Sequence, residues 1–263
     1  MSKKMLSKLQ KVKLKLFGNP WGWKGNYATW AEAQQQASGY DDDAILNKVK
    51  DALLKVKSGE AVYERDSVLF NEIDYSWPLL SALMWIAAQE KGNLSLIDFG
   101  GSLGSSYFQN KAFLKDLNEV AWNIVEQEKF VRCGKQYFES EHLKFYESID
   151  ACVKFNSVST LISSSTIQYI EKPFDMLDSM IKHKFKYIAF DLIPIWNKPN
   201  RITVQTVPPN IYEASYPCWI LNENDFLNRF DQSYTLISSF KAAHTIYVDG
   251  NPLPYKGYLF KLK

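Results

Sequence analysis

Asp98, Gly100, Gly101, Ser102 and Gly104 follow the apolar run LSLI without a break, and the residues after them, SSYFQ, begin a helical pattern. A strand that ends in an acid and turns through glycines brings backbone N–H groups and a helix N-terminus against whatever sits beyond the strand. Such a turn suits a nucleoside-containing cofactor. A dinucleotide fingerprint starting at Gly100 requires glycine at 102 and 105, where this chain has Ser102 and Ser105, so the nicotinamide reading is weakened.

Other residues fall where they could complete a site. Glu126 closes the next apolar run, in WNIVEQ, and a carboxylate there can accept both hydroxyl hydrogen bonds of an adenosine ribose. Glu147 and Ser148, in FYESI, could meet the adenine amino group, and Ser148 reads equally well as a helix N-cap. Ser165, Gln168 and Tyr169 follow the fourth apolar run, and Asp191 follows the fifth. Asp191 is the first choice to orient or deprotonate an acceptor, with Tyr63, Arg65, Gln168 and Tyr216 fixing its pose. Glu64, Asp66 and Tyr212 are further acceptor-side candidates, and Trp196, Tyr212, Tyr216 and Trp219 supply rings that could stack on a sugar. Each has a plainer reading: Asp191 as a structural carboxylate, Arg65 within an ion-pair network, the rings as glue. Of the histidines, His183 is expected to face solvent, His142 lies away from the ligand edge, and His244 could reach the cleft. No His/Cys/Asp group has metal-ligand spacing, and no metal is expected.

The elements that must position these residues follow from apolar rhythm. Helices are predicted over 42–58, with Ile45, Val49, Leu53 and Val56 at helical spacing, and over 76–90, which is apolar nearly all round; Thr29 could cap a helix after residue 29. Strands are predicted over 94–99, 120–125, 143–146, 158–163, 186–191, 234–240 and 256–262. Alternating strands and helices imply a parallel sheet, and the last two strands are too close for a crossover helix, so they form an antiparallel pair. The long segment 194–233 reads as a lid or substrate platform. Residues 1–17 carry six lysines among apolar residues, suited to weak contact with an anionic membrane or to packing on the body.

With 263 residues, 46% hydrophobic content and a net charge of +2, the chain can bury a sizeable core, and its charge does not by itself suggest a nucleic-acid partner. Its three cysteines fit no disulfide framework, and no apolar run is long enough to span a bilayer; a cytoplasmic location is expected.

The acid-x-Gly-x-Gly-x-Gly spacing, with Ser102 for the middle glycine, resembles the S-adenosylmethionine (SAM) site of class I methyltransferases. The runs YERDSVLF, LIDFGGSLGSSYFQ, VEQ, STIQYIEKP, RITVQTVPPNIYEASYP and GYLF together resemble a sparsely characterised family of bacterial methyltransferases associated with surface-polysaccharide synthesis, over nearly the whole chain. That resemblance implies an α/β, Rossmann-like sheet of order 3-2-1-4-5-7-6 with strand 7 antiparallel, spanning 93–263 with an insertion at 194–221, and an N-terminal helical extension over 1–92. It further implies SAM as cofactor, S-adenosylhomocysteine (SAH) as product, and a small-molecule or glycan-linked acceptor, with oligomeric state left open. Cofactor contacts then fall to Asp98, Gly100, Gly101, Ser102, Gly104, Glu126, Glu147, Ser148 and Ser165. Many relatives carry Arg after the acid that Asp191 matches, and this chain has Leu192 there. Methylation of a phosphate or carboxylate, a nicotinamide-dependent oxidoreductase and a non-catalytic binding module remain alternatives.

Overall fold

In the computed structural model, residues 21–39, 42–208, 211 and 213–263 are described; the basic segment 1–17 and Tyr212 lie outside them. The chain begins with β1 (Gly22–Tyr27), α1 (Trp30–Gln35) and α2 (Asp42–Ser58). Thr29 caps α1, its hydroxyl accepting from Glu32 N at 3.2 Å. Along α2 the i, i+4 spacing carries Ile45, Val49 and Leu53 into the core. A short hairpin of β2 (Tyr63–Arg65) and β3 (Val68–Phe70) follows, then α3 (Trp77–Gln89), which buries Leu79, Leu80, Ala82, Leu83, Ile86 and Ala87.

Strand and helix then alternate: β4 (Asn93–Phe99), α4 (Ser105–Leu114), β5 (Glu119–Val125), α5 (Glu128–Tyr137), β6 (Leu143–Tyr146), α6 (Ile149–Val153), β7 (Thr160–Ser164), α7 (Pro173–Lys182) and β8 (Tyr187–Ile193). The rest is mostly strand: β9 (Ile195–Trp196), β10 (Arg201–Thr206), β11 (Ser215–Asn222), then α8 (Glu223–Asn228), β12 (Tyr234–Val248) and β13 (Asn251–Leu262).

The main sheet runs β6-β5-β4-β7-β8-β13-β12-β1-β10-β11-β9, eleven strands where seven were expected. Neighbours from β6 to β8 are parallel, and β13 is antiparallel to both β8 and β12. Two expectations are corrected here. The N-terminal extension is not purely helical, since β1 pairs with β10 and touches β12 through Trp23 and Val248, while β2 and β3 form their own hairpin. The segment 194–233, read as a lid or substrate platform, carries three strands that continue the sheet rather than an irregular loop.

Side chains alternate across the central strands, so both faces are covered. Leu94 and Leu96 of β4, Trp122 and Ile124 of β5, and Tyr187 and Ala189 of β8 join α2 and α3 in one core. Ile97, Val125, Ile188 and Phe190 face the other way, towards Cys152 of α6, Leu177 and Met180 of α7 and Phe226 of α8. Among the described residues no helix is long and apolar enough to cross a membrane.

Candidate functional site

In the sheet β4 lies between β5 and β7, so the chain crosses to one side for β5 and β6 and returns to the other for β7 and β8. Beyond the carboxyl ends of the strands at such a reversal an open α/β sheet leaves a crevice for ligands. The turn from Gly100 to Gly104 lies at this place. Ser102 has φ of 54°, the left-handed conformation that glycine adopts without strain, so serine preserves the turn's path. Gly101 is needed for a different reason: a Cβ there would lie 2.5 Å from the Asp98 carboxyl carbon.

Asp98 is 1% exposed and accepts from Trp122 Nε1 at 3.0 Å. Burial pushes its carboxyl up to about 7, against the hydrogen bond that favours the ionised form. It forms the floor beneath the turn. Glu126 is half-buried, and its oxygens accept from Ser102 N at 3.2 Å and Gln127 N at 2.9 Å. A carboxylate has about four acceptor positions, so capacity remains for a diol. Burial raises the Glu126 carboxyl, opposed by the two backbone bonds. Glu147 is exposed at the end of β6, whereas Ser148 caps α6 by accepting from Ala151 N at 3.0 Å. Ser165 has φ of 55°; its N–H donates to Asp191 O at 3.0 Å and its hydroxyl accepts from Gln168 Nε2 at 3.1 Å. The structure thus gathers Asp98, Gly100, Gly101, Ser102, Gly104 and Glu126 around one turn and sets Ser165 on the neighbouring one.

The acceptor-side candidates come from several elements. The β2–β3 hairpin rests on α4: the Glu64 carboxylate, 2% exposed, accepts from Ser105 Oγ at 2.7 Å and Ser67 N at 2.8 Å, and Tyr63 OH accepts from Gln109 Nε2 at 3.1 Å. Burial raises the Glu64 carboxyl and pushes the Tyr63 hydroxyl up to about 12. Arg65 Nη1 donates to Asp74 Oδ2 at 2.7 Å and to His244 Nε2 at 2.8 Å, the ion-pair network anticipated for it. Asp66 is exposed at the hairpin turn, and desolvation by the neighbouring protein raises its carboxyl.

Asp191 is 1% exposed, and its Oδ2 accepts from Ser76 Oγ at 2.7 Å. Its other oxygen is enclosed without a hydrogen-bond donor, and burial raises the carboxyl. In this conformation Asp191 therefore lies sealed behind Ser76. Gln168 is 0% exposed; its amide nitrogen reaches Ser165 Oγ and, at 3.4 Å, Leu192 O. Tyr216 meets Tyr169 edge to face at 5.2 Å, and Tyr169 OH donates to Gln205 Oε1 at 2.9 Å.

Trp219 stacks on Trp30 and donates to Glu171 O at 3.2 Å, while Trp196 donates to Pro199 O at 3.0 Å beneath Lys198 and Arg201. Trp219 fastens the added strands to the body, whereas these contacts of Trp196 stay within its own segment. His183 is partly covered, stacked on Phe185 and 3.6 Å from Asp150, rather than turned out to solvent. Sequence reasoning missed Ser76, Asp74 and Thr166, whose hydroxyl donates to Gly100 O at 3.4 Å; a lone polar residue in a loop carries no signal of these partners.

No family model and no curated protein matches the chain. Solved structures do. The N-terminal domain of EvdMO1 with SAH bound is similar at 10% identity, covering 85% of this chain and 98% of that one with a TM-score of 0.51. Magnesium protoporphyrin IX methyltransferase (ChlM) from Synechocystis PCC 6803 with bound SAM is 12% identical, covering 86% and 99% with a TM-score of 0.45. The LepI complex with SAM is 10% identical at a TM-score of 0.46, and the match covers 72% of this chain and 47%, about half, of that one. At such identities the likeness to the EvdMO1 domain establishes a shared fold.

Proposed function

We propose that the chain is a SAM-dependent methyltransferase that releases SAH. The observation that carries this reading is Glu126, held to the amide of Ser102 at the point where the sheet reverses, above the buried Asp98. The fit is chemical: Glu126 keeps acceptor capacity for ribose hydroxyls, Gly101 leaves no room for a Cβ, and the turn's backbone is free to approach an adenosine ligand. Glu147 and Ser165 flank it, and Ser148 contributes from its capping position. The fold it shares with a domain that binds SAH supports the same assignment.

SAM supplies a methyl group on a sulfonium, with a neutral leaving group. The chain's own residues have the remaining tasks of orienting the acceptor and excluding water. The acceptor is a hydroxyl, foremost that of a sugar, a nucleotide-sugar or another surface-polysaccharide precursor. The resemblance of the sequence runs supports this, and a second structure of the EvdMO1 domain was obtained in the presence of SAH and D-fucose. Arg65, the cation beside the Glu64, Asp66 and Asp74 carboxyl groups, is already paired with Asp74 at 2.7 Å, which disfavours a phosphate or carboxylate acceptor. Gln168, Tyr63 and Tyr216 shape the cleft from behind its charged groups. Calorimetry with SAM, SAH and NAD tests the reading. SAM and SAH are expected to bind and NAD is not; NAD binding without SAH binding would replace the methyltransferase with an oxidoreductase.

A further inference from the structure

The pairing of β12 with β13 slips at one place. Lys256 of β13 pairs with Ile193 of β8 on one side and Lys241 of β12 on the other, so β12 continues past the carboxyl end of β8. The next pair in the ladder is Thr245 with Pro254, which leaves Ala242, Ala243 and His244 opposite Tyr255. A bulge of this kind re-aims a side chain at a sheet margin. Here it delivers His244, whose side chain is 37% exposed, to Arg65 and Asp74.

The contact with Arg65 fixes the chemistry of the ring. A guanidinium donates and never accepts, so His244 Nε2, 2.8 Å from Arg65 Nη1, must carry a lone pair, and the neutral ring holds its proton on Nδ1. Arg65 Asp66, Asp74 and Asp191 are the charged groups that face this ring, from the hairpin, the loop after it and the end of β8. Asp191 is sealed behind Ser76, whereas His244 is open to solvent.

On these grounds, and resting on the methyltransferase reading above, we propose that His244 Nε2 is the acceptor-side base for a neutral hydroxyl, with Arg65 as the positioning residue that holds its tautomer. The acceptor O–H replaces the Arg65 N–H on Nε2, and Arg65 keeps its bond to Asp74. The hydroxyl proton passes to Nε2, the oxygen forms its bond to the methyl carbon, and the carbon–sulfur bond breaks with its electron pair returned to a neutral thioether. The imidazolium is then balanced by Asp66, Asp74 and Asp191.

The test uses the full chain with SAH bound and nitrogen-15 histidine, the His244 signals being assigned by loss in His244→Gln. Nε2 is expected unprotonated and Nδ1 protonated, and Arg65→Gln should abolish that preference. Turnover is followed as SAH release from SAM with D-fucose, D-glucose and N-acetylglucosamine as probes. His244→Gln should lower kcat by about 10² to 10⁴, with SAH affinity within about twofold of the parent. A protonated Nε2 in the parent, a parent inert on all three sugars, or full turnover by His244→Gln overturns the assignment. Failure of the parent to bind SAH sinks the methyltransferase reading instead.

Discussion

The two halves of the proposed site are assembled in opposite ways. On the donor side, Asp98 to Ser105 form an unbroken stretch of chain and Glu126 closes it from the adjoining strand. On the acceptor side, Arg65, Asp74, Asp191 and His244 come from a hairpin, a loop, a strand end and a bulge. The donor turn is fixed by steric necessity within a few residues, and the acceptor cleft by charge pairs between remote segments. Local backbone constraint is stiff, whereas partly exposed ion pairs contribute little to stability each and tolerate exchange. A turn that binds one common ligand can therefore persist while the opposite wall is rebuilt for different acceptors.

The difference can be tested by substitution on each side. The largest effect is expected at Asp98. An unstructured aspartate ionises near ~3.9, so a folded value of about 7 means that folding takes up a proton between these limits. The stability this group contributes is complete below about pH 4 and is lost as pH rises through 7. Asp98→Asn does not titrate, so between pH 4 and 8 its stability relative to the parent should rise by on the order of 4 kcal/mol, read from urea unfolding. Parallel curves for the two proteins would show that Asp98 ionises normally.

Next is Gly101→Val, which forces methyl groups into the Asp98 carboxylate and should cost about 3 kcal/mol while removing measurable SAH binding. Unchanged SAH affinity would mean that the turn is not the donor site. Glu126→Ala is expected to weaken SAH by about 1.5 to 3 kcal/mol, the range for hydrogen bonds to a charged acceptor, as calorimetry would show. An acceptor-side change, Asp191→Asn, retains an oxygen for Ser76 and should reduce turnover by less than about tenfold, well short of the loss expected for a direct base. A hundredfold loss with normal SAH affinity would return the base role to Asp191.

The same contrast explains what could be read from the sequence. Helix α2 was predicted with its observed bounds and β4 to within one residue, because each carries its own apolar period. The glycine turn was legible for the same local reason. β12 was expected to stop near 240 but runs to Val248, since the bulge at 242–244 breaks the alternation. β13 begins at Asn251, where Pro252 and Pro254 argue against a strand. The added strands β10 and β11 were missed because β10 is secured by β1, at the far end of the chain, and β11 only through β10 and the two-residue β9. The bond from Ser76 to Asp191 left no trace in the spacing, being a contact between residues 115 positions apart.

That distant pairing also sets an order of events during synthesis. β1 emerges early, yet the strand it joins is made much later, and Arg201 Nε reaches Gly25 O across 176 positions. Chain entropy penalises such a closure until the intervening segment has condensed. The parallel core from β4 to β8 can therefore form first, leaving β1 as an unpaired edge that a nascent chain must shield. The outer strands β10 and β11 are joined to that core only when β12 and β13, the last strands made, bridge β8 to β1.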